Sequence, residues 1–176
     1  MRQVADRDRI WTFMRAVGAE AKQQTRFYFT GGATAVLLDW RPSTIDVDVM
    51  FIPESDEIFR SIPRLKESLK INVELASPAD FIPELPGWQE RSVFVTQEGK
   101  VAFFHYDLYA QALAKIERSH SQDIGDVQEM ISRGLVERSR VWSLFTTIEP
   151  QLYRYPSLDP RAFRSAVENI VGSQNS

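Results

Sequence analysis

The sequence predicts an α+β fold, in which a mixed sheet with flanking helices is followed by a C-terminal helical segment. The first observation is the alternation of apolar and polar residues at 44–52 and at 71–75, which is typical of half-buried strands. The second is the recurrence of apolar residues at helical spacing in 7–23 and 55–69. The pattern after residue 106 is mostly helical. We therefore expect the strands to form one core, which is followed by a helical segment.

Each predicted element of the first half has a local reason. Gly31 and Gly32 break a β-prone run, and the segment after them is rich in Ala and Leu, which favour a helix. Pro63 lies inside a later helix and is expected to kink it. Residues 97–100 separate two β-prone runs, which indicates a hairpin. In chain order, the predicted elements are a helix at 7–23, a strand at 26–29, a helix at 33–40, a strand at 44–52, a helix at 55–69, a strand at 71–75, a loop at 77–90, and hairpin strands at 91–96 and 101–105.

The rest of the chain is predicted to be helical. Pro150, Pro156 and Pro160 interrupt the pattern and mark its breaks. The change of pattern divides the chain into an α/β core at 1–106 and a helical part at 107–176 that is expected to pack on the core. The predicted helices span 107–118, 122–133, 137–148 and 160–171.

The composition excludes several classes of protein. The 176 residues include no Cys, which excludes disulfides and thiolate metal sites and favours a reducing compartment. No stretch approaches the roughly 20 apolar residues of a membrane span, and the first residues lack the apolar region of a secretory signal. We therefore expect a cytoplasmic protein that does not use a membrane as a partner.

The charges are unevenly distributed, although the net charge is only −3. Residues 39–107 carry seven basic and thirteen acidic side chains, whereas 1–38 carry six basic and three acidic ones, and 133–176 carry six and four. The small net charge provides no global basic field for nucleic acid. An acidic middle with mildly basic flanks suits a metal site that a polyanion approaches, and it suits an ordinary solvated surface equally well.

Residues 29–50 combine two features that carry chemistry. Gly31 and Gly32 follow a strand and open a helix, where a backbone without Cβ atoms lets a phosphate approach unpaired N–H groups. Asp46 and Asp48 are two residues apart on one strand, which places both carboxylates on one face. Two such charges repel unless a cation lies between them, and hard oxygen ligands favour Mg²⁺ or Mn²⁺. Each feature alone is more often a plain turn or a solvated strand face, whereas the combination is much more specific.

The stretch from Phe29 to Val49 resembles the signature of polymerase-β-like nucleotidyltransferases, in which Gly-Gly is followed, after a spacer, by Asp-x-Asp. Residues 41–48 (RPSTIDVD) are also similar to the Arg-x-x-Thr-x-Asp-x-Asp form of a small prokaryotic branch, which includes the AbiEii-type toxins and the DUF6036 proteins. The resemblance covers residues 26–130. It implies the nucleotidyltransferase fold and a metal-dependent transfer of a nucleoside monophosphate from an NTP, such as ATP, in which two cations bind the attacking and leaving oxygens.

The resemblance also implies roles for residues outside this stretch. Glu74 matches the third carboxylate of the family, where many relatives have Asp, and Lys115 and Asp123 match a Lys and an Arg-Asp-x-x-Asp segment of the toxin branch, with Gln122 in place of the Arg. Each also has a plain structural reading: an exposed strand Glu, a solvated helix Lys and a first-turn Asp. The implied metal ligands are Asp46, Asp48 and Glu74, and Lys115 joins them as a catalytic residue. The implied nucleotide-binding residues are Thr30, Gly31, Gly32, Thr34, Arg41, Lys115 and Asp123.

The sequence does not distinguish between two acceptors of the nucleoside monophosphate: RNA, such as a tRNA 3′ end, and a protein side chain. The resemblance to the toxin branch implies a role in a toxin–antitoxin pair, with an antitoxin protein as partner. The alternatives are a transferase that modifies a small antibiotic-type molecule, and an inactive nucleotidyltransferase fold that acts as a binding protein. Three mutually repelling carboxylates argue against the inactive fold. His105 and His120 favour structural roles, and no Ser-His-Asp order or HExxH motif supports hydrolysis.

Overall fold

A computed structural model describes residues 3–172, and the chain divides into two compact units. The first unit is formed by residues 3–77 together with residues 92–106. The second is formed by residues 78–91 together with residues 107–172. Residues 78–91 thus fall in the second unit, whereas the sequence pattern grouped them with the core.

The first unit is built around a mixed sheet. Its strands are β1 (Ala5–Asp6), β2 (Thr25–Phe29), β3 (Ser43–Thr44), β4 (Asp46–Ile52), β5 (Asn72–Leu75), β6 (Val93–Glu98) and β7 (Val101–His105). Five of these form one sheet in the order β5-β4-β2-β7-β6, and β1 pairs with β3 separately. β2 is antiparallel to β4 and parallel to β7, whereas β4 and β5 are parallel. This sheet confirms the predicted α+β class. It places β4, which carries Asp46 and Asp48, next to β5, which carries Glu74.

The helices of the first unit are α1 (Arg7–Glu20), α2 (Gly32–Leu37) and α3 (Asp56–Leu69). Two of them begin where the sequence offers a side-chain cap. The side chain of Asp6 accepts a hydrogen bond from the backbone N–H of Arg9 at the start of α1. Ser55 does the same for the N–H of Ile58 at the start of α3. α2 has no side-chain cap, because Gly31 occupies the cap position.

One face of the sheet forms the hydrophobic core of the first unit. Burial of each large apolar side chain contributes roughly 1.5–3 kcal/mol, and a slip of β4 by one residue would bury Asp46 and Asp48 in place of Val47 and Val49. The register of β4 is therefore strongly specified. The alternation in the sequence predicts Ile45 on the same face as Val47 and Val49, but Ile45 is 74% exposed, because the strand begins only at Asp46. The buried core residues of the sheet include Phe27, Phe29, Val47, Val49, Phe51 and Phe103, and Phe13 and Ile58 join them from α1 and α3.

The second unit consists of helices. They are α4 (Trp88–Arg91), α5 (Leu108–Arg118), α6 (Ser121–Ser132), α7 (Arg138–Ile148) and α8 (Pro160–Val171), with short 3₁₀ helices at Pro78–Asp80 and Glu149–Arg154. The buried carboxylate of Asp107 caps α5 through the N–H of Tyr109 and accepts a 2.7 Å hydrogen bond from Arg91. This ion pair ties residues 78–91 to the start of α5. No helix in the described part of the chain has the length and apolar character needed to cross a membrane.

Several element boundaries differ from the predicted ones. α1 ends at Glu20 because Ala21 already has an extended backbone, and α2 ends at Leu37, just before Asp39 adopts a positive φ of 72°. α3 continues through Pro63 as one helix. The predicted loop at 77–90 contains a 3₁₀ helix and most of α4. The strands β1 and β3 were not predicted, because two residues are too few to show a period.

Candidate active site

Two carboxylates lie on the face of β4 that points away from the core. Asp46 and Asp48 are half-buried, while Val47 between them is fully buried, so the alternation of the strand places both carboxylates on one face. Hydrogen bonds from neighbouring residues hold the backbone of this strand. The carbonyl of Asp48 accepts a hydrogen bond from the N–H of Thr30 at 3.0 Å, and the hydroxyl of Thr44 donates to the carbonyl of Asp46 at 3.0 Å.

The parallel strand β5 adds a third carboxylate and an amide to this face. Glu74 is the register partner of Asp48, and Asn72 is that of Asp46. The Nδ2 atom of Asn72 donates to Oδ1 of Asp46 at 2.7 Å and to Oε1 of Glu74 at 3.0 Å. Two of the three carboxylates implied as metal ligands therefore share a single amide group.

The glycine turn before α2 lies against Asp48. A Cβ atom on Gly31 would stand 2.6 Å from Oδ2 of Asp48, which is closer than real Cβ atoms come to such a group. A side chain at position 31 would therefore displace this carboxylate, which is the terminal group of a rotatable side chain. The hydroxyl of Thr30 donates to the carbonyl of Ala76 at 2.7 Å and ties the same turn to the end of β5. The glycine turn and the carboxylates thus meet at one place in the first unit.

Gly32 has a different neighbour. A Cβ atom on Gly32 would stand 2.8 Å from the Cβ of Thr44 and closer still to its Oγ1. Packing against Thr44 is therefore enough to require glycine at position 32, whether or not a phosphate approaches. Nη1 of Arg41 lies 3.5 Å from the same point, so the guanidinium is beside the turn that the sequence associated with a nucleotide.

Behind the turn, Thr34 and His105 form a buried pair. Oγ1 of Thr34 lies 2.9 Å from Nδ1 of His105, and the two residues are 0% and 3% exposed. His105 is the register partner of Phe29, the last residue of β2 before the turn. Burial lowers the pKa of His105 to about 4, because the charged imidazolium would lose its hydration. The ring is therefore neutral near pH 7, which agrees with the structural role expected from the sequence.

The donor set of the first unit suits a hard divalent cation. Asp46, Asp48 and Glu74 offer carboxylate oxygens, which Mg²⁺ and Mn²⁺ prefer over softer ligands. Within residues 3–172, however, no three His, Cys, Asp or Glu side chains are already grouped as a metal site. Binding of a cation by all three carboxylates therefore requires their side chains to rotate on strands whose positions are already set.

The second unit contains a separate charged cluster around Lys115. This side chain is buried, and its ammonium donates to Oδ2 of Asp126 at 2.9 Å and lies 4.0 Å from Oδ1 of Asp123. Oδ2 of Asp123 is buried without a hydrogen bond, although Nε of Arg118 is 3.5 Å away and Nδ1 of His120 is 3.8 Å away. The Lys and the Asp-x-x-Asp segment singled out in the sequence therefore form one ionic network, in which Asp126 is the closest partner of Lys115.

A protein-family model described as "Nucleotidyltransferase of unknown function (DUF6036)" matches residues 9–169, which is nearly the whole chain. The chain belongs to this nucleotidyltransferase family. No curated protein and no solved structure shows a significant match. The family description names the class of transferase, and it names no substrate, metal or acceptor.

Within this nucleotidyltransferase, the first unit brings together most of the residues proposed from the sequence. Its implied site residues are Thr30, Gly31, Gly32, Thr34, Arg41, Asp46, Asp48 and Glu74, while Lys115 and Asp123 belong to the second unit. Sequence reasoning placed Asn72 on the polar face of its strand but gave it no role, and it gave none to Thr44. The available signal for Asn72 was an amide two residues before a carboxylate on the same strand.

Proposed function

We propose that this protein transfers a nucleoside monophosphate from an NTP to an acceptor and releases pyrophosphate. The observation that carries the proposal is the contact between the glycine turn at Gly31 and the carboxylate of Asp48. The start of a helix can receive phosphates at its N–H groups, although Gly31 and Gly32 are themselves buried here, and a half-buried pair of aspartates can hold a cation beside them. Membership in a nucleotidyltransferase family supports the same reaction class.

Asp46, Asp48 and Glu74 are the residues that we propose to hold Mg²⁺ or Mn²⁺. Such a cation, when bound, neutralises the charge that develops on the transferring phosphoryl group and polarises the reacting oxygens. The carboxylates position this charge next to the glycine turn. Glu74 is the most exposed of the three, so we assign it contact with the acceptor hydroxyl and its proton.

The residues around the turn are proposed to bind and orient the NTP. The backbone at Gly31 and Gly32 receives the phosphates, and Arg41 beside the turn offers a cationic fork. The hydroxyls of Thr30 and Thr34 already contact Ala76 and His105. We therefore assign both threonines to holding the shape of the turn.

The cluster in the second unit is proposed to act on the triphosphate. Lys115 supplies the positive charge, and its ion pairs with Asp123 and Asp126 hold the ammonium in one orientation. Two carboxylates pair with one ammonium in this network. A polyphosphate that binds Lys115 would therefore have to displace at least one of these carboxylates.

For the acceptor, we propose RNA, such as a tRNA 3′ end, with a protein side chain as the other macromolecular candidate. Arg138 and Arg140 are exposed at the start of α7 and offer contacts for a phosphate backbone. We also propose a role as a toxin that an antitoxin protein neutralises, because unrestrained modification of cellular RNA would be harmful.

The test is to incubate the protein with each α-labelled NTP, Mg²⁺ and a pool of total RNA, in parallel with the Asp48→Asn variant. The proposal predicts label in RNA with wild type and its loss with the variant. Label in protein would instead identify a side-chain acceptor. Label in a small hydroxylated compound alone would favour the antibiotic-type transferase, and no label with any acceptor would favour an inactive binding protein.

A further inference from the structure

The face of the sheet that carries the carboxylates also carries a row of aromatic rings. Tyr28 in β2, Phe104 in β7 and Phe94 in β6 are cross-strand neighbours in the register of the sheet. The ring centroid of Phe104 lies 5.3 Å from that of Tyr28 and 5.7 Å from that of Phe94. Tyr28 is buried, Phe104 is half-buried and Phe94 is 57% exposed, so the row opens to solvent at Phe94.

This row lies beside the carboxylates on the same face. Met50 of β4 is the register partner of Tyr28, and Asp48 precedes Met50 by two residues, which places both side chains on one face. The strands between them follow the order β4-β2-β7-β6. Because neighbouring strands are about 4.8 Å apart, Phe94 lies on the order of 15 Å from Asp48 across the sheet. A short extended oligonucleotide spans such a distance.

An exposed cation flanks the row on the side away from the carboxylates. The guanidinium of Arg26 in β2 lies over the ring of Phe104, with Cζ 5.9 Å from the ring centroid. Among residues 3–172, no acidic side chain forms an ion pair with Arg26, so its N–H groups can receive a phosphate. The charge therefore changes sign across the aromatic row, from Arg26 on one side to Asp48 on the other.

We propose that this surface, formed by Phe94, Phe104 and Arg26, binds an unpaired segment of the RNA acceptor, with a base stacked on Phe94 and a phosphate on Arg26. The choice of occupant follows from the two chemistries that meet here, because unpaired bases stack on aromatic side chains and phosphates bind guanidinium groups. A base inside a duplex is already stacked, so the bound segment is single-stranded. The inference rests on the proposed function for its choice of RNA, while the surface itself requires neither a metal ion nor an NTP.

The aromatic contact is tested by the binding of a fluorescent oligouridylate of about 12 nucleotides to the full chain, in EDTA and without NTP. Phe94→Leu keeps an apolar side chain but removes the ring, and it is expected to weaken binding by about fivefold or more. Phe94→Trp keeps a ring and should bind at least as tightly as wild type. The matched control is Phe59→Leu, which removes a partly exposed ring from α3 on the core face of the sheet and should leave the affinity unchanged.

The phosphate contact is tested by the salt dependence of the same binding. Arg26→Gln removes one contact and should lower the slope of log affinity against log salt by about 0.7. Arg60→Gln on α3 removes a charge elsewhere in the unit and should leave this slope as in wild type. A duplex of the same length should bind more weakly than the single strand, and Phe94→Leu should not weaken it further.

The outcomes separate this inference from the proposed function. If folded Phe94→Leu and Arg26→Gln bind the single strand as wild type does, or if the duplex binds equally well, the surface is overturned, and transfer to RNA by wild type would still support the proposed function. Binding that depends on the ring and on Arg26, without any transfer, would support the surface and count against the proposed function. Self-association of wild type that Phe94→Leu abolishes, with RNA affinity unchanged, would identify a second copy of the chain as the occupant and overturn the inference.

Discussion

Oδ2 of Asp48 lies 2.6 Å from the point where a Cβ atom of Gly31 would stand. The two residues come from different elements, the turn before α2 and the strand β4, and the antiparallel pairing of β2 with β4 brings them together. A side chain at position 31 would meet this carboxylate and turn it from its present position. The contact joins the two sequence features that had indicated a nucleotidyltransferase.

Gly31→Ala is therefore expected to displace the carboxylate of Asp48. A displacement of about 1 Å at a reacting centre costs on the order of 100-fold in rate, and we expect a loss of that size in NMP transfer. Steady-state rates at saturating NTP, with circular dichroism to show that the variant is folded, measure it.

The control for this prediction is Gly125→Ala. Gly125 is in α6, nothing lies within 4 Å of the added Cβ, and alanine is favoured over glycine in a helix by about 1 kcal/mol. This variant should keep the wild-type rate and melt at the same or a higher temperature. A folded Gly31→Ala protein with wild-type activity would contradict the structural link between Gly31 and Asp48.

Gly32→Ala should destabilise the protein through its contact with Thr44. Overpacking of this kind costs roughly 1–3 kcal/mol, and the added Cβ would stand 2.8 Å from that of Thr44. Replacing Thr44 with Gly should remove the clash, so Gly32→Ala should cost less in the Thr44→Gly background. Urea unfolding of the four proteins gives the coupling, and additive effects would show that the two side chains do not meet.

The sequence predicted the secondary structure around the site, because burial of one face of a strand determines its register. Alternation alone placed Asp46 and Asp48 on one face of β4. The neighbours of β4 did not follow, since strand order depends on pairings between distant parts of the chain. The contact between Asn72 and Asp46 arises from such a parallel pairing, which no local pattern contains.

The stability of the protein should depend on pH through His105. Burial lowers the pKa of this side chain to about 4, whereas an unfolded histidine has a pKa of about 6.5. Between these values the unfolded chain binds more protons, so the free energy of unfolding should fall as the pH is lowered from about 6.5 to about 4, and this contribution should be constant above 6.5. The full effect is on the order of 3 kcal/mol.

His105→Gln removes the titrating ring and should flatten this dependence. Urea unfolding of wild type and variant at several pH values across the window measures the difference in slope. The exposed His120, replaced with Gln in the same way, controls for the loss of a histidine elsewhere in the chain. Identical slopes for wild type and His105→Gln would show that the native ring takes up its proton as readily as the unfolded one.

If RNA is the acceptor, Arg138 and Arg140 should contribute to its binding. Both are exposed at the start of α7, and the guanidinium of Arg140 lies over the ring of Tyr109 at 5.4 Å. Phosphate contacts release counterions, so affinity for RNA should fall steeply with salt. Replacing both arginines with Ala should raise the apparent KM for RNA, reduce the salt dependence, and leave NTP affinity unchanged.

The control replaces Arg60 and Arg64 of α3 with Ala, which removes the same number of positive charges from the first unit. It should retain the salt dependence of the wild type. Transfer that is insensitive to salt and unaffected by loss of Arg138 and Arg140 would contradict an RNA acceptor. A cationic small acceptor would give that result, because the acidic middle of the chain would attract it.

The ion pairs of the charged cluster in the second unit could be predicted only in part from the sequence. Lys115 and Asp123 were singled out by a resemblance to a motif, and Asp126 was recognised only as part of the same segment. The structure makes Asp126 the nearest partner of the ammonium, at 2.9 Å. Which of two carboxylates on one helical face pairs with a lysine depends on how α5 and α6 pack, and spacing alone does not determine it.

The central claim is that carboxylates beside the glycine turn support cation-dependent transfer of a nucleoside monophosphate. Pyrophosphate release from NTP in the presence of RNA tests it most directly, with wild type, Asp46→Asn and Asp48→Asn in Mg²⁺ and in excess EDTA. The claim predicts release by wild type in Mg²⁺ alone. It also predicts a loss of orders of magnitude in both variants, which should remain folded because removal of one repelling charge does not weaken the strand. Equal release by wild type in EDTA, or by either variant in Mg²⁺, would contradict the claim.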